Sequence, residues 1–347
     1  MNSGADKEHY DKLADFNEWV DLQYADANGE LEVLGFRPRP SQVLHQLSFD
    51  TYEVALADYR AQKEEELKDV VISEFPAPIA HYFYRFLYGS ENELQRLHFL
   101  RDTWEAIINF LHALVVGETR FLTLSLTEPL KFSELMSDKL NARLLNIERI
   151  LDHSNANGIT LESEKVVSNA LLTRMRELNQ TRNAFSHIGA QSEEQARQFI
   201  SESYVDVIEI LEQLKSLREI RVMRYLNQQG LKTIRHERFD GHAMTKTIKD
   251  LQLTKTQVNE SARYLQSDQL IVACGKRLFG LRPFLYFEQD PNGHQTKLCF
   301  FKQTKGNVPD RKLIFEVVGE SREVNFDRGI FRPELDELRT MFGLAPD

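Results

Sequence analysis

The sequence predicts an α+β protein with a central helical bundle, an N-terminal mixed extension and a small C-terminal antiparallel β domain. From residue 76 to residue 228, apolar residues recur at three- and four-residue steps, which is typical of amphipathic helices. Beyond Gly230 the pattern changes to short apolar runs bounded by turn residues, as in antiparallel strands. We therefore expect three domains, at residues 1–75, 76–228 and 229–347.

Composition narrows the class of protein. The chain has 347 residues, of which 41% are hydrophobic and 28% charged, as in ordinary globular proteins. Its N-terminus is polar, and the longest apolar run, around Phe110 to Val116, is too short to cross a bilayer, so we expect a cytoplasmic location and no membrane contact. The two cysteines, Cys274 and Cys299, lack a zinc-ligand pattern. We expect no metal and no cofactor.

Charge is distributed unevenly along the chain. Residues 1–75 carry about 7 basic and 17 acidic side chains, whereas residues 232–312 carry about 15 basic and 8 acidic ones. Such a gradient suggests a surface for nucleic acid in the C-terminal part and an acidic part that limits non-specific binding. Solvation of two ordinary surfaces explains the gradient equally well.

The individual elements follow from apolar spacing and turn residues. In the first domain we expect a strand at 32–36 and a charged helix at 52–75, whose Glu64, Glu65 and Glu66 form a solvated face. The bundle is predicted to contain a helix opening at Pro76 and helices at about 91–117, 131–153, 161–188 and 193–228. In the last domain we expect strands at 270–274, 278–288, 297–302 and 312–318, and helices at 255–266 and 333–341.

The stretch from Arg182 to His187, with the sequence RNAFSH, carries the most chemical information. It closes the predicted helix at 161–188, on which Asn183 and His187 share one face while Arg182 and Ser186 share the adjacent one. An imidazole can take the proton of a ribose 2′-hydroxyl, and a guanidinium can hold the phosphate. Asn183 would support either group, and Ser186 would assist in binding. The alternative is a solvated helix end, because the helix dipole also favours a histidine in the last turn.

A polar stripe on the helix at 91–117 is the second candidate. Arg101, Glu105, Asn109 and His112 fall within about 80° of one another at 100° per residue. The stripe could line a substrate-binding cleft opposite the RNAFSH segment, with Glu105 orienting the catalytic groups. It could also be only the wet face of an amphipathic helix.

The RNAFSH segment at the end of a helix resembles the R-N-x-x-x-H signature of the HEPN superfamily, over about residues 76–228. The resemblance implies a metal-independent endoribonuclease of a defence, toxin or RNA-processing system. It also implies a homodimer with two motifs at one cleft, catalytic Arg182 and His187, and a supporting Asn183.

Two other functions fit the sequence. The same fold could serve as a non-catalytic RNA- or nucleotide-binding adaptor that works with a partner protein in a defence complex. The C-terminal part could instead be a winged helix that binds DNA, with residues 254–265 as its recognition helix and the hairpin at Gly275 as its wing. The side chains that would then contact phosphates are Lys255, Arg263, Lys276, Arg277 and Arg282.

Overall fold

The structure is a computed structural model. It describes residues 4–23, 39–128, 130–188, 192–243, 247–266, 269–289, 296–305 and 312–345, with backbone only for residues 4–6 and 181–188. Helices and two antiparallel sheets confirm the α+β class. The chain divides into two compact units, residues 1–68 and residues 69–347.

The described residues of the first unit are helical. They form α1 (Gly4–Lys12), α2 (Ala14–Gln23), α3 (Pro40–Leu47) and the greater part of α4 (Phe49–Glu74). A small core of Phe16, Val20, Tyr52 and Leu56 holds them together, and the Tyr52 hydroxyl donates to Oδ1 of Asn17 at 2.7 Å. The predicted charged helix is confirmed as α4. The predicted strand at 32–36 lies outside the described residues.

The glutamates of α4 behave as the sequence predicts. Lys68 forms ion pairs with Glu64 at 2.8 Å and with Glu65 at 2.6 Å, and Lys63 pairs with Glu66 at 2.7 Å. These are i,i+3 and i,i+4 contacts on a helix surface, which contribute only a few tenths of a kcal/mol each. The acidic run is a solvated helix face.

The bundle is built around one long helix. Its elements are α5 (Ala77–Tyr88), α6 (Glu93–Phe121), the single turn α7 (Phe132–Leu135), α8 (Leu140–Ala156), α9 (Asn169–Ile188) and α10 (Glu193–Gln213). α6 packs most extensively on α5, α8 and α10, while α9 packs on α8 and α10. From Ala106 to Arg120, α6 has an almost continuous series of buried residues, as expected of a helix surrounded by other elements.

The helix predicted at 193–228 is too long. It ends at Gln213, a 3-10 turn follows, and Arg221–Gln228 forms a strand, β1. Two strands flank β1 by antiparallel pairing, so Val222 and Met223 are buried although they belong to no helix. The apolar pattern of α10 continues into β1 with no Gly or Pro between the two elements, which is why periodicity alone misplaces the boundary. The predicted motif helix is also shorter, since it begins at Asn169.

Two antiparallel sheets form the C-terminal part. The first has the order β3-β2-β1-β4-β5 and the second the order β6-β7-β8-β9. The remaining strands are β2 (Thr233–Arg238), β3 (Thr247–Gln252), β4 (Leu270–Cys274), β5 (Arg277–Gly280), β6 (Leu285–Gln289), β7 (Thr296–Lys305), β8 (Lys312–Val317) and β9 (Glu323–Asp327). Two helices, α11 (Lys255–Ser261) and α12 (Arg332–Met341), accompany them.

Several of these elements differ from the prediction. The strands β1, β2, β3 and β9 are absent from the prediction; β3 is a mostly exposed edge strand and lacks the apolar alternation that marks a half-buried one. The strand predicted at 278–288 is two strands, β5 and β6, which belong to different sheets. The strands at 270–274 and 312–318 and the closing helix are confirmed within a residue.

A buried carboxylate joins the bundle to the first sheet. Glu118 of α6 is fully buried and accepts hydrogen bonds from the backbone N–H groups of Glu162 at 2.7 Å and Ser163 at 2.8 Å. The Ser163 hydroxyl donates to it at 2.6 Å, and Arg277 of β5 forms an ion pair with it. A buried charge is tolerated only when its oxygens are satisfied in this way.

The neighbouring residues of α6 extend the same junction. A Cβ on Gly117 would lie 2.8 Å from the carbonyl oxygen of Gly280, so only glycine allows α6 and β5 to approach this closely. Arg120 is 2% exposed, and its guanidinium donates to the carbonyl oxygens of Gly280, at 3.2 Å, and of Arg282. Helix and sheet are therefore held by backbone-directed hydrogen bonds as well as by apolar packing.

The junction predicts a specific loss of stability. Replacing Glu118 with Ala leaves buried N–H groups and the Arg277 guanidinium without their acceptor, and we expect the free energy of unfolding to fall by about 3 kcal/mol. Urea unfolding followed by Trp104 fluorescence measures it, in a Trp19→Phe background that leaves Trp104 of α6 as the sole tryptophan. Glu128→Ala, at an exposed position, is the control and should change stability by less than about 0.5 kcal/mol. Equal effects of both variants would contradict the structural role of Glu118.

Candidate functional site

The motif occupies one continuous helical segment. Residues 182–187 fall in the last two turns of α9, which ends at Ile188. The prediction that Arg182, Asn183, Ser186 and His187 lie on the final turns of a helix within a bundle is confirmed for the backbone. Their side chains lie outside the described residues.

Side-chain pairs fix the direction of α9 against its neighbours. Asn169 bonds Asp152 at 3.0 Å and Arg176 bonds Glu148 at 2.8 Å, so the contacts run in opposite directions along α9 and α8. On the other side, Arg174 donates to Asp206 of α10 at 2.9 Å. The helix that carries the motif is thus clamped between two others.

The motif lies toward the N-terminal half of α6. Trp104 Nε1 donates to Oδ1 of Asn179 at 3.5 Å, and Asn179, one turn before Asn183, is 1% exposed. Further along α6, Glu118 contacts Ser163, which precedes α9. These two contacts show that α9 runs antiparallel to α6. The backbone of the motif therefore continues from Trp104 toward the start of α6.

This register divides the predicted polar stripe. Arg101 and Glu105 lie in the half of α6 toward which the motif runs, and their side chains are joined by an ion pair of 3.6 Å. The Arg101 guanidinium also lies 3.1 Å from Asp102, and 40% of its side chain is exposed. These two members of the stripe remain candidates for contact with a substrate.

The other two members of the stripe are engaged by contacts within the fold. His112 is 1% exposed, lies 3.4 Å from Asn146 Nδ2 of α8 and packs edge-on against Phe284. Asn109 accepts a hydrogen bond from Arg143 of α8. The expectation that His112 and Asn109 line an open cleft is therefore corrected, because α8 and the segment before β6 cover His112, and the half-buried Asn109 is bonded to Arg143 of α8.

The buried guanidinium of Arg143 requires polar partners in this part of α6. Its guanidinium bonds Asn109, the carbonyl oxygen of Ser137 at 3.1 Å and that of Phe301 in β7 at 2.7 Å. Burial lowers the pKa of Arg143 to about 10, and burial followed by the charge of Arg143 lowers the pKa of His112 well below its ordinary value. His112 is therefore neutral at physiological pH and acts as a packing and hydrogen-bonding group.

A cleft of about 570 Å³ opens beside the N-terminal half of α6. Arg101 lines it together with residues that the sequence analysis did not single out: Tyr82, Arg85, His98, Asp102, Lys302 and Arg322. They come from α5, α6, β7 and the turn before β9. No spacing in the sequence could indicate this group, because its members are brought together only by the packing of the second sheet on α5 and α6.

The basic residues assigned to DNA binding are largely used inside the protein. Arg277 pairs with Glu118, Arg263 donates to the carbonyl oxygens of Arg120 and Phe121 at 3.0 and 3.1 Å, and Arg282 pairs with Glu334 at 3.2 Å. Of the five proposed side chains, Lys255 and Lys276 are exposed and are not engaged by the fold in this way. The helix and hairpin of the winged-helix alternative are present as α11 and β4–β5, but β4–β5 is part of a five-stranded sheet and its Arg277 contacts α6.

The described part of the chain contains no cluster of three or more His, Cys, Asp or Glu side chains suited to a metal ion. Cys274 and Cys299 are both buried and free, and burial raises the pKa of each thiol to about 12. None of the helices described here is both long and apolar enough to span a bilayer.

Comparison of the chain with protein families, with curated proteins and with solved structures finds no match. The HEPN resemblance therefore rests on the RNAFSH segment and its helical setting alone.

Buried histidines predict a loss of stability in acid. Burial, ahead of the charges of Arg238 and Arg221, lowers the pKa of His236 to about 4, while an unfolded histidine titrates near 6.5. Between these two pKa values the histidine is protonated in the unfolded chain but not in the folded one. The stability that His236 contributes is therefore complete above the pKa of the unfolded histidine and is lost as the pH falls toward the folded pKa. His236 alone should cost about 2 kcal/mol between about pH 7 and about pH 5.

Urea unfolding at several pH values, in the Trp19→Phe background, measures how steeply the free energy of unfolding falls with pH, and this slope tests the prediction. His236→Gln should flatten it, whereas His98→Gln, at an exposed position of α6, should leave it unchanged. A slope that His236→Gln does not reduce would show that His236 is not the titrating group.

Proposed function

We propose that this protein is a metal-independent endoribonuclease of a prokaryotic defence or stress system, acting in the cytoplasm. One observation carries the proposal: the complete R-N-x-x-x-H segment lies on the last two turns of a single helix that is clamped in a bundle. A rigid helix holds residues five apart at a fixed spacing, as a base and a phosphate clamp require.

The chemistry follows from the residue types. His187 would take the proton of a ribose 2′-hydroxyl, and the alkoxide would attack the adjacent phosphorus and expel the 5′-oxygen. Arg182 would stabilise the negative charge on the phosphoryl oxygens, and Asn183 would orient the reacting groups. The products would be a 2′,3′-cyclic phosphate and a 5′-hydroxyl end.

Substrate contacts beyond the motif come from the N-terminal half of α6. Arg101, which is partly exposed and lines the 570 Å³ cleft, would contact a phosphate of the substrate, and Glu105 would orient the Arg101 guanidinium through their ion pair. Ser186 would add a hydroxyl donor. His112 has no part in this scheme because the fold buries it, and Asn109 has none because it is bonded to Arg143.

A homodimer completes the site in this proposal. One motif supplies a single imidazole, whereas cleavage needs both a base for the 2′-hydroxyl and an acid for the leaving oxygen. A second copy facing the first would provide the acid. A partner protein of the same defence system would then control the activity.

Loss of either motif side chain should abolish cleavage. We expect His187→Ala and Arg182→Ala to lower the rate of RNA cleavage by at least about 100-fold, since each removes a general base or a transition-state contact. Total RNA and transfer RNA, incubated with the purified protein and a chelator, provide the assay. End-group analysis should find 2′,3′-cyclic phosphate.

The control is His9→Ala, which removes an exposed histidine of α1 that belongs neither to the motif nor to the lining of the 570 Å³ cleft, and it should keep more than about half of the rate. RNA binding without any cleavage by the wild type would contradict the enzyme and identify an adaptor. Cleavage that survives in His187→Ala would place the active site elsewhere.

The oligomeric state provides a separate prediction. Sedimentation equilibrium should give the mass of two 40.4 kDa chains, and mixing inactive His187→Ala with inactive Arg182→Ala should restore at most a fraction of the wild-type rate, through mixed dimers. A monomer that cleaves RNA at full rate would contradict the two-motif site.

A further inference from the structure

A second cleft, of about 770 Å³, lies over the first sheet and is separate from the motif and from the cleft at α6. Its volume falls in the range of small-molecule sites. Part of its lining is apolar, with Leu251, Leu253, Ala273 and Leu278, and part is cationic, with Arg218, Arg221 and Arg238. An apolar surface next to several guanidinium groups suits a ligand that has an apolar body and an anionic end.

The strand register places the cationic and apolar residues on one face. Met223 of β1 is opposite Arg238 of β2, so Arg221, two residues before Met223, projects from the same side of the sheet. Arg221 is itself opposite Ala273 of β4. Arg218 reaches the cleft from the 3-10 turn that precedes β1.

Two of the three arginines lack an acidic partner. Arg238 pairs with Asp240 at 2.7 Å, whereas neither Arg218 nor Arg221 forms an ion pair with any residue that the structure describes. Both are exposed, although Glu74 and Glu219 line the same cleft. Elsewhere in the C-terminal part, Arg263, Arg277 and Arg282 are engaged by carboxylates or carbonyl oxygens. Arg218 and Arg221 therefore keep their donors available.

The positive charge of the cleft affects a histidine in the sheet beneath it. Arg238 and Arg221 both contribute, after burial, to lowering the pKa of His236, which lies on the same face of β2 as Arg238. A doubly charged phosphate at the mouth of the cleft would offset this positive potential. Guanidinium groups bind phosphate oxygens in pairs of parallel hydrogen bonds, a geometry that a carboxylate ligand shares but that a neutral ligand cannot use.

We propose that this cleft binds a mononucleotide, with Arg218 and Arg221 on its phosphate. The base would lie on Leu251 and Ala273, the partly exposed apolar residues of the lining. Glu74 and Glu219, which disfavour a bare polyanion, would accept hydrogen bonds from the ribose hydroxyls. The site is independent of the RNAFSH motif and does not need the ribonuclease activity.

Titration calorimetry of the full-length protein tests the proposal, with AMP, adenosine and inorganic phosphate as probes. We expect AMP to bind with a Kd below about 1 mM and both fragments to bind at least about tenfold more weakly. The double variant Arg218→Ala/Arg221→Ala should weaken AMP binding by at least about tenfold. Arg221→Lys should recover part of the loss, because it keeps the charge but not the paired geometry.

Arg235→Ala is the matched control. Arg235 is an exposed arginine of β2 that pairs with Asp250 outside the cleft, and its removal should leave AMP affinity unchanged. Thermal unfolding of each variant checks the fold. Three outcomes would overturn the proposal: no heat with AMP at about 1 mM, AMP affinity undiminished in the double variant, or inorganic phosphate binding as tightly as AMP. Binding of long RNA but not of AMP through these arginines would also overturn it.

Discussion

The buried Glu118 carboxylate is the contact on which the position of the candidate site depends. It accepts hydrogen bonds from the turn that precedes α9 and an ion pair from β5, so it fixes the start of α9 to α6 and to the first sheet together. Further along α9, the contact of Asn179 with Trp104 fixes the helix a second time. The RNAFSH backbone therefore extends from a helix that is held at both points. Buried contacts, and not surface side chains, determine its position relative to α6.

α6 has two halves with different physical roles. In the C-terminal half, Asn109, His112 and Arg120 satisfy polar groups on α8 and on the sheets, in surroundings where an unpaired group would cost a few kcal/mol. In the N-terminal half, Arg101 and Glu105 are partly exposed, and Arg101 borders a cleft. A single polar stripe on a helical wheel thus contains one portion that links elements and another that faces solvent.

Sequence patterns predicted the elements that bury one face and end at recognisable turns. α4, α5, α6, β4, β8 and α12 are of this kind, and so is the end of α9. Patterns failed where tertiary packing decides: β1 follows α10 without a breaker, and the exposed edge strand β3 has no apolar alternation. The same limit applies to the candidate site. The motif is local and could be found, whereas the burial of His112 and the cleft around Arg101 depend on elements about 30 to 220 residues away in the chain.

The net charge of a segment does not show how much charge is available to a ligand. The C-terminal part is rich in basic residues, yet Arg263, Arg277 and Arg282 are bound to carbonyl oxygens or carboxylates of the fold, and Arg224 and Arg238 have acidic partners. Counting charge therefore overstates the surface that a DNA duplex could use. Arg218 and Arg221 differ because they lie at the end of the bundle and in the first strand of the sheet, where no described carboxylate forms an ion pair with them. A small anion in the cleft that these two arginines line could therefore use both at once.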